Sequence, residues 1–282
     1  MAHFYESILN NKIDFDAEFK KLVRLFLSEE FYISQFDAGR TTLMQFIETY
    51  YFRKLKISYN YISLRQCLED ILQSFESDAD KFILFCEVIL SIIPQFWDKY
   101  QSEEEIYLSD KQILDEKMVF IKKIIVTDLE AINLIEKRIE NNRLGTISTI
   151  IPNDLSIEQA LSLVDDENVR THLIEYNSLR NRGNIQAKTE ILRLISNYIE
   201  GITKDKNLIP LFKKLFEDTN FLFNNLDLRH NKNVNDIKFY KATLKEREKW
   251  LDYTYKNSIM VINAKEQNNI HNKISKLRSV QS

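Results

Sequence analysis

Arg229 and His230 stand side by side in the tract Leu222-Phe223-Asn224-Asn225-Leu226-Asp227-Leu228-Arg229-His230-Asn231-Lys232-Asn233. There a fixed cation, a titratable ring and several amides gather beside apolar residues. Arginine is a planar cation matched to phosphate oxygens, and imidazole exchanges a proton near neutral pH. Together they suit metal-free cleavage of a ribose phosphodiester. A base takes the proton of the 2′-hydroxyl, an acid protonates the leaving oxygen, and a cation stabilises the charged phosphorane. One His cannot be acid and base in the same step, so a two-fold homodimer or higher homo-oligomer that brings a second His to the groove is expected. Asn225, Asn231 and Lys232 are the candidate substrate-binding residues around the catalytic candidates Arg229 and His230. The alternative is structural: a His near a helix end complements the dipole, and an Arg pairs with a carboxylate, Asp227 being the nearest in sequence.

The rest of the chain declares no chemistry of its own. It holds no zinc pattern, phosphate loop, dinucleotide fingerprint or nucleophile elbow, so neither metal nor cofactor is expected. His172 with Glu175 is one i,i+3 pair without a second, and reads as a core or surface histidine. His3 and His271 lie in terminal segments and read as solvent-exposed. Cys67 and Cys86 sit in apolar helical patterns and read as buried small hydrophobes in a reducing cytoplasm. Tyr50-Tyr51-Phe52-Arg53-Lys54 and Tyr59-Asn60-Tyr61 could stack bases, but core or interface packing is the better reading of them.

These residues must be positioned by helices. In 282 residues there are only four Gly and three Pro, too few for the turns of an all-β fold, and the hydrophobic share of 44% supports a packed core. The spacing predicts an all-α chain. Helices are expected over Asp16 to Phe36, from Thr41 or Thr42 through Tyr51, from Ser63 through Leu72, from Phe82 to a kink or end at Pro94, from Ser109 through Ile121, and over Asp128 to Asn142. Gly145 to Asp154 is the clearest break, and Ser156 reopens a helix. Asn168 to Gly201 reads as one long helix or a kinked pair around Gly183; Pro210 starts a helix toward Arg229; Asp236 caps one through Met260; the tail from Ala264 is frayed or partly helical. Two domains follow, 1–150 and 151–282. The apolar run Phe82 to Ile93 is too short to span a bilayer and no leader pattern opens the chain, so no membrane partner is expected.

The segment Glu175-Tyr176-Asn177-Ser178-Leu179-Arg180-Asn181-Arg182-Gly183 and the tract Asn225 to Asn231 resemble the C-terminal HEPN domains of bacterial abortive-infection (phage-resistance) proteins of the AbiJ-like kind. The stretch Tyr61 to Ile71 resembles the helical domains that precede them. The resemblance implies a helical N-terminal domain followed by a HEPN-like bundle, and a toxin of antiviral defence that cuts cellular or phage RNA without metal. It also implies a homodimer, with a phage-encoded trigger or neutralising partner. In that family a His follows the Arg a few residues on; here those positions hold Asn233, Val234 and Asn235. A variant Arg-His geometry, or a module that binds RNA or a protein without cutting, are the two readings this leaves.

Overall fold

The computed structural model describes residues 13–27, 32–35, 39–42, 45, 66, 69–70, 73, 77–102, 108–141, 145–229 and 238–280. His230, Asn231, Lys232, Cys67, His3 and the aromatic stretch 50–61 lie outside the described residues. The chain divides into two compact units, Ala2–Pro152 and Asn153–Ser282. It is mainly helical, with two antiparallel strand pairs where the sequence pattern predicted helix or loop.

In the N-terminal unit, α1 (Phe15–Leu27) lies on α2 (Asp78–Ser102) through Phe15 against Phe82 at 5.8 Å and Phe19 edge-on to Phe85 at 5.2 Å. Asp37-Ala38-Gly39 was expected to separate two helices; instead β1 (Tyr32–Gln35) pairs with β2 (Gly39–Thr42). The helix α2 continues through Pro94. It is followed by α3 (Leu108–Ala131), β3 (Leu134–Asn141) and β4 (Gly145–Pro152).

The expected helix Asp128–Asn142 is therefore corrected: it stops at Ala131. The N–H groups of Ile132 and Asn133 fall back on Leu129 and Glu130 three residues earlier, and Asn133 takes a left-handed backbone (φ 58°), which asparagine tolerates. Ile135, Ile139, Thr146, Ile147, Thr149, Ile150 and Ile151 then suit strands better than helix. The register runs from Leu134 opposite Pro152 to Asn141 opposite Gly145.

The outer edge of β4 meets α2. There Glu87 Oε1 accepts the N–H of Ile150 at 2.8 Å, and Ser91 Oγ accepts that of Ser148 at 2.9 Å while donating to the Glu87 carbonyl at 2.7 Å. Two polar side chains in the apolar helix thus do what a third strand would do, satisfying N–H groups that burial would otherwise leave open. Glu87 is fully buried, and that burial pushes its carboxyl up to about 8, with the Ile150 N–H pulling the other way. Cys86, beside it, has a thiol raised by the same burial.

In the C-terminal unit, α4 (Leu155–Leu163), α5 (Glu167–Tyr176), α6 (Ile185–Thr203), α7 (Ile209–Asn225), α8 (Lys238–Lys241) and α9 (Leu244–Val280) form a bundle. Helix α9 packs on α4, α6 and α7, and α5 packs on α6. Of the two readings for 168–201, one long helix is excluded: a 3-10 turn, Leu179–Asn181, and Gly183 at φ 71° separate α5 from α6. Asp154, Asp166 and Asn184 cap the helices that follow them, and Thr243 and Glu246 form a reciprocal capping box at the start of α9. The tail expected to fray is helical to Val280. Leu192, Ile195 and Ile199 of α6, Phe223 of α7 and Leu251 and Val261 of α9 are fully buried, each contributing about 1.5–3 kcal/mol. No described helix is long and apolar enough to cross a membrane.

In the unfolded chain Glu87 ionises near its ordinary 4.5, but the folded unit keeps the proton to about 8. Folding therefore takes up a proton between those values. Stability falls as pH rises through that window, by roughly 1.4 kcal/mol per unit. Glu87→Gln, which keeps the acceptor for Ile150, should stabilise the protein increasingly from about pH 5 to about pH 8 in urea unfolding. A gain independent of pH would show that the carboxyl is already ionised when buried.

Candidate functional site

The turn that follows α7 carries Arg229, and its shape comes from Asp227. Helix α7 closes with the N–H of Leu226 on the Leu222 carbonyl at 2.9 Å and that of Leu228 on the Phe223 carbonyl at 3.1 Å. This is the pattern of a helix end whose penultimate residue is left-handed, a position glycine usually holds. Here it is Asp227, at φ 58°. A backbone of that kind costs an L-residue about 1–2 kcal/mol, and Arg193 of α6 offsets the cost. Its Nε donates to the Asp227 carbonyl and its Nη2 to Asp227 Oδ2, both at 3.0 Å. Asp227 is 7% exposed, while the Arg193 side chain that grips it keeps 42% of its surface in water. The carboxylate that stands near Arg229 in sequence is thus committed to a different arginine.

Two residues on, Arg229 turns inward. Its side chain is 7% exposed. Nη1 donates to Asn220 Oδ1 at 2.6 Å, and the guanidinium lies 4.6 Å from the centre of the Phe223 ring, both on α7. Asn220 Oδ1 also accepts from Thr203 Oγ1 at 3.3 Å. Glu200 of α6 stands 3.9 Å from Nε, close enough to feel the charge but too far to hydrogen-bond. Glu200 also pairs with Lys204 along its own helix. Among the described residues, Nε and Nη2 of Arg229 are buried and donate to nothing. Burial pulls the Arg229 pKa below its ordinary value, and Glu200 opposes that pull. The guanidinium is thus not open to solvent. Packing of the turn against α6 and α7 draws the side chain under the surface, where it presents two unfilled donors.

Asn225 lies at the end of α7, exposed, its amide donating to the Phe221 carbonyl at 2.8 Å. His230, Asn231 and Lys232 fall outside the described residues. Asn220, Phe223, Glu200 and Arg193 are the residues that sequence reasoning missed. Arg193 and Glu200 share one face of α6 at seven-residue spacing, a signal readable only once that face is known to meet the turn.

The segment Glu175–Gly183 leads to a second buried cluster. Lys188 is completely buried, its Nζ 2.7 Å from Glu248 Oε1 and 2.9 Å from Asp252 Oδ1. Tyr176 donates to the same Asp252 oxygen at 3.0 Å and stacks flat on Tyr255 at 4.3 Å. The Tyr255 hydroxyl donates to the Leu173 carbonyl at 2.9 Å and accepts from Asn177 at 2.6 Å. The N–H of Gly183 donates to Glu248 at 2.8 Å. Burial would raise the Glu248 carboxyl, but Lys188 and that N–H hold it below the ordinary value, while burial raises both tyrosines. This cluster is a tie between α5, α6 and α9. His172 sits 3.2 Å from Glu175, and among the described residues no three His, Cys, Asp or Glu side chains converge as metal ligands would.

The chain matches no protein-family model, no curated protein and no solved structure.

The unfilled donors of Arg229 carry a prediction that separates a structural tie from a ligand socket. A buried donor without an acceptor costs about 1–3 kcal/mol. Arg229→Met should therefore leave the urea midpoint unchanged or raise it, whereas Asn220→Ala, which strands a further N–H, should lower stability by about 1–3 kcal/mol. Loss of more than about 3 kcal/mol in Arg229→Met would mark the guanidinium as a structural tie.

Proposed function

We propose that the protein is a cytoplasmic effector of phage defence by abortive infection, whose C-terminal unit is a HEPN-like module that cleaves cellular or phage RNA without a metal ion. The observation that supports this reading is the buried Arg229 with two N–H donors unfilled, held by a left-handed turn that Arg193 braces from the neighbouring helix. Strain and unsatisfied polarity held in place by surrounding contacts are features that functional sites retain at a cost in stability.

In the proposed reaction the ribose 2′-oxygen attacks phosphorus, its proton goes to a base, and the bond from phosphorus to the 5′-oxygen breaks as an acid protonates that oxygen. A 2′,3′-cyclic phosphate and a 5′-hydroxyl result. His230 is assigned one proton transfer, and the second His comes from another copy of the chain in a homodimer or higher oligomer. Arg229 is assigned the charge of the phosphorane. Asn225, Asn231 and Lys232 are assigned contacts to the strand, and a phage-encoded trigger or neutralising partner controls the toxicity.

A second reading has its own observation. Arg229 is clasped by Asn220 and Phe223 and almost wholly covered, and Asn233, Val234 and Asn235 stand where the family places its histidine. On that reading the HEPN-like module binds RNA or a protein partner and does not cut.

Purified protein incubated with labelled RNA distinguishes them. Arg229→Ala and His230→Ala should each lower cleavage by about a hundredfold or more and abolish growth arrest, with the helical circular dichroism unchanged and EDTA without effect. Retardation of RNA that weakens with salt, with no cleavage in the wild type, would replace the first reading by the second.

A further inference from the structure

A polar cleft of about 540 Å³ opens at the other end of α7 from Arg229, between the 205–211 segment and the exposed half of α9. Helix α7, kinked at Phe212, separates the cleft from the Arg229 turn by roughly 20 Å. On α9, Lys265, Asn268, Asn269 and Asn272 recur at i, i+3, i+4 and i+7, which places them on one face of the helix, and that face lines the cleft. Ile270, Ile274 and Leu277 occupy the opposite face. Asn269 donates weakly to Glu266 at 3.3 Å. The side chains of Lys265, Asn268 and Asn272 hydrogen-bond to nothing among the described residues. Across the cleft stands Asp205, which accepts the N–H of Asn207 at 2.9 Å, and Pro210 and Leu211 form an apolar ledge, Leu211 being 51% exposed.

We infer that this cleft binds a nucleotide: Asn268 and Asn272 read the edge of the base, Lys265 holds one phosphate, and Asp205 accepts a ribose hydroxyl. The mixture of groups selects that ligand class. A carboxamide offers donor and acceptor together, as the edge of a nucleobase does. A single ammonium neutralises one phosphate, and the facing carboxylate disfavours a bare polyanion. The apolar ledge accommodates a ring face. The volume lies in the range of small-ligand sites, about 300–1,000 Å³. The same chemistry is presented by a free nucleotide and by one residue of an RNA strand, so the site either senses a nucleotide or holds a strand that passes toward Arg229.

The test uses the full-length protein and isothermal titration with AMP, GMP, CMP and UMP, with inorganic phosphate, and with short 2′-O-methyl oligonucleotides that cannot be cleaved. At least one mononucleotide, or failing those the oligonucleotide, should bind about tenfold or more tightly than phosphate. The Asn268→Ala/Asn272→Ala double variant, which places good helix formers on an exposed face, should weaken that binding about tenfold or more, and Lys265→Ala should weaken it too. Binding confined to the oligonucleotide and lost in the double variant assigns the site to a strand; binding of a mononucleotide assigns it to a sensor. Phosphate binding as tightly as nucleotides, a double variant that binds like the wild type, or no binding of any probe overturns the inference. None of these readouts requires RNA cleavage, so failure of the nuclease reading and failure of this one are separable.

Discussion

Arg193 grips Asp227 by its side chain and its carbonyl at once, and the candidate site depends on that grip. A left-handed residue other than glycine at the end of a helix is a small debt of conformational energy, and without an outside anchor the turn has cheaper alternatives. The anchor comes from α6, so the turn is set by tertiary packing as well as local propensity. Because Leu226 and Leu228 flank Asp227 and are both buried, the chain has little freedom to rotate between the clamp and Arg229. The direction of one guanidinium thus follows from a contact two residues upstream, on a different helix.

Both units meet the problem of polar groups in an apolar interior, and they solve it in opposite ways. In the N-terminal unit burial raises the Glu87 carboxyl, and its value lies in accepting a strand N–H that α2 would otherwise cover. In the C-terminal unit Lys188 stands against Glu248 and Asp252, and Tyr176 and Gly183 add donors to those carboxylates. Pairs of that kind contribute little net stability, because desolvation consumes much of the attraction. They bridge α9 and α6, and α9 in turn packs against α7, which carries Asn220 and Phe223.

Much of the helical plan of the C-terminal unit was legible in the sequence. The interruption at Gly183, one of the two readings of 168–201, and the start near Pro210 are local signals, and local signals survive folding; the cap of α4 is Asp154, two residues before the Ser156 at which the pattern opened the helix. What failed was the N-terminal unit around residue 135. Ile132, Ile135 and Ile139 lie at helical spacing, yet the same residues are β-branched, and a partner strand with Thr146, Ile147 and Thr149 decided between two permitted patterns. Pairing across a chain reversal is a non-local fact that periodicity does not encode. The site was legible only as residue types. Asp227 was the obvious partner for Arg229 by proximity, and the turn that brings Arg229 in sends Asp227 to Arg193 instead.

The charge balance around Arg229 bears on why its two donors stay unfilled. Glu200 is the carboxylate best placed to close on Nε, and a shift of less than an ångström would make a hydrogen bond of the 3.9 Å gap. It also pairs with Lys204 one turn along its own helix, which divides its charge between two cations. Asn220 is likewise shared, accepting from Thr203 as well as from Arg229. Among the described residues the guanidinium is therefore only partly bonded, although it is desolvated. In a medium of low polarity such a cation attracts an oxyanion far more strongly than it would in water, and its unfilled N–H groups give that attraction a direction. A phosphate oxygen entering beside Nε and Nη2 would complete the set of contacts that Glu200 and Asn220 leave partial. Buried donors without acceptors cost the folded protein stability, and on the proposed reading they are what an anion-stabilising site requires.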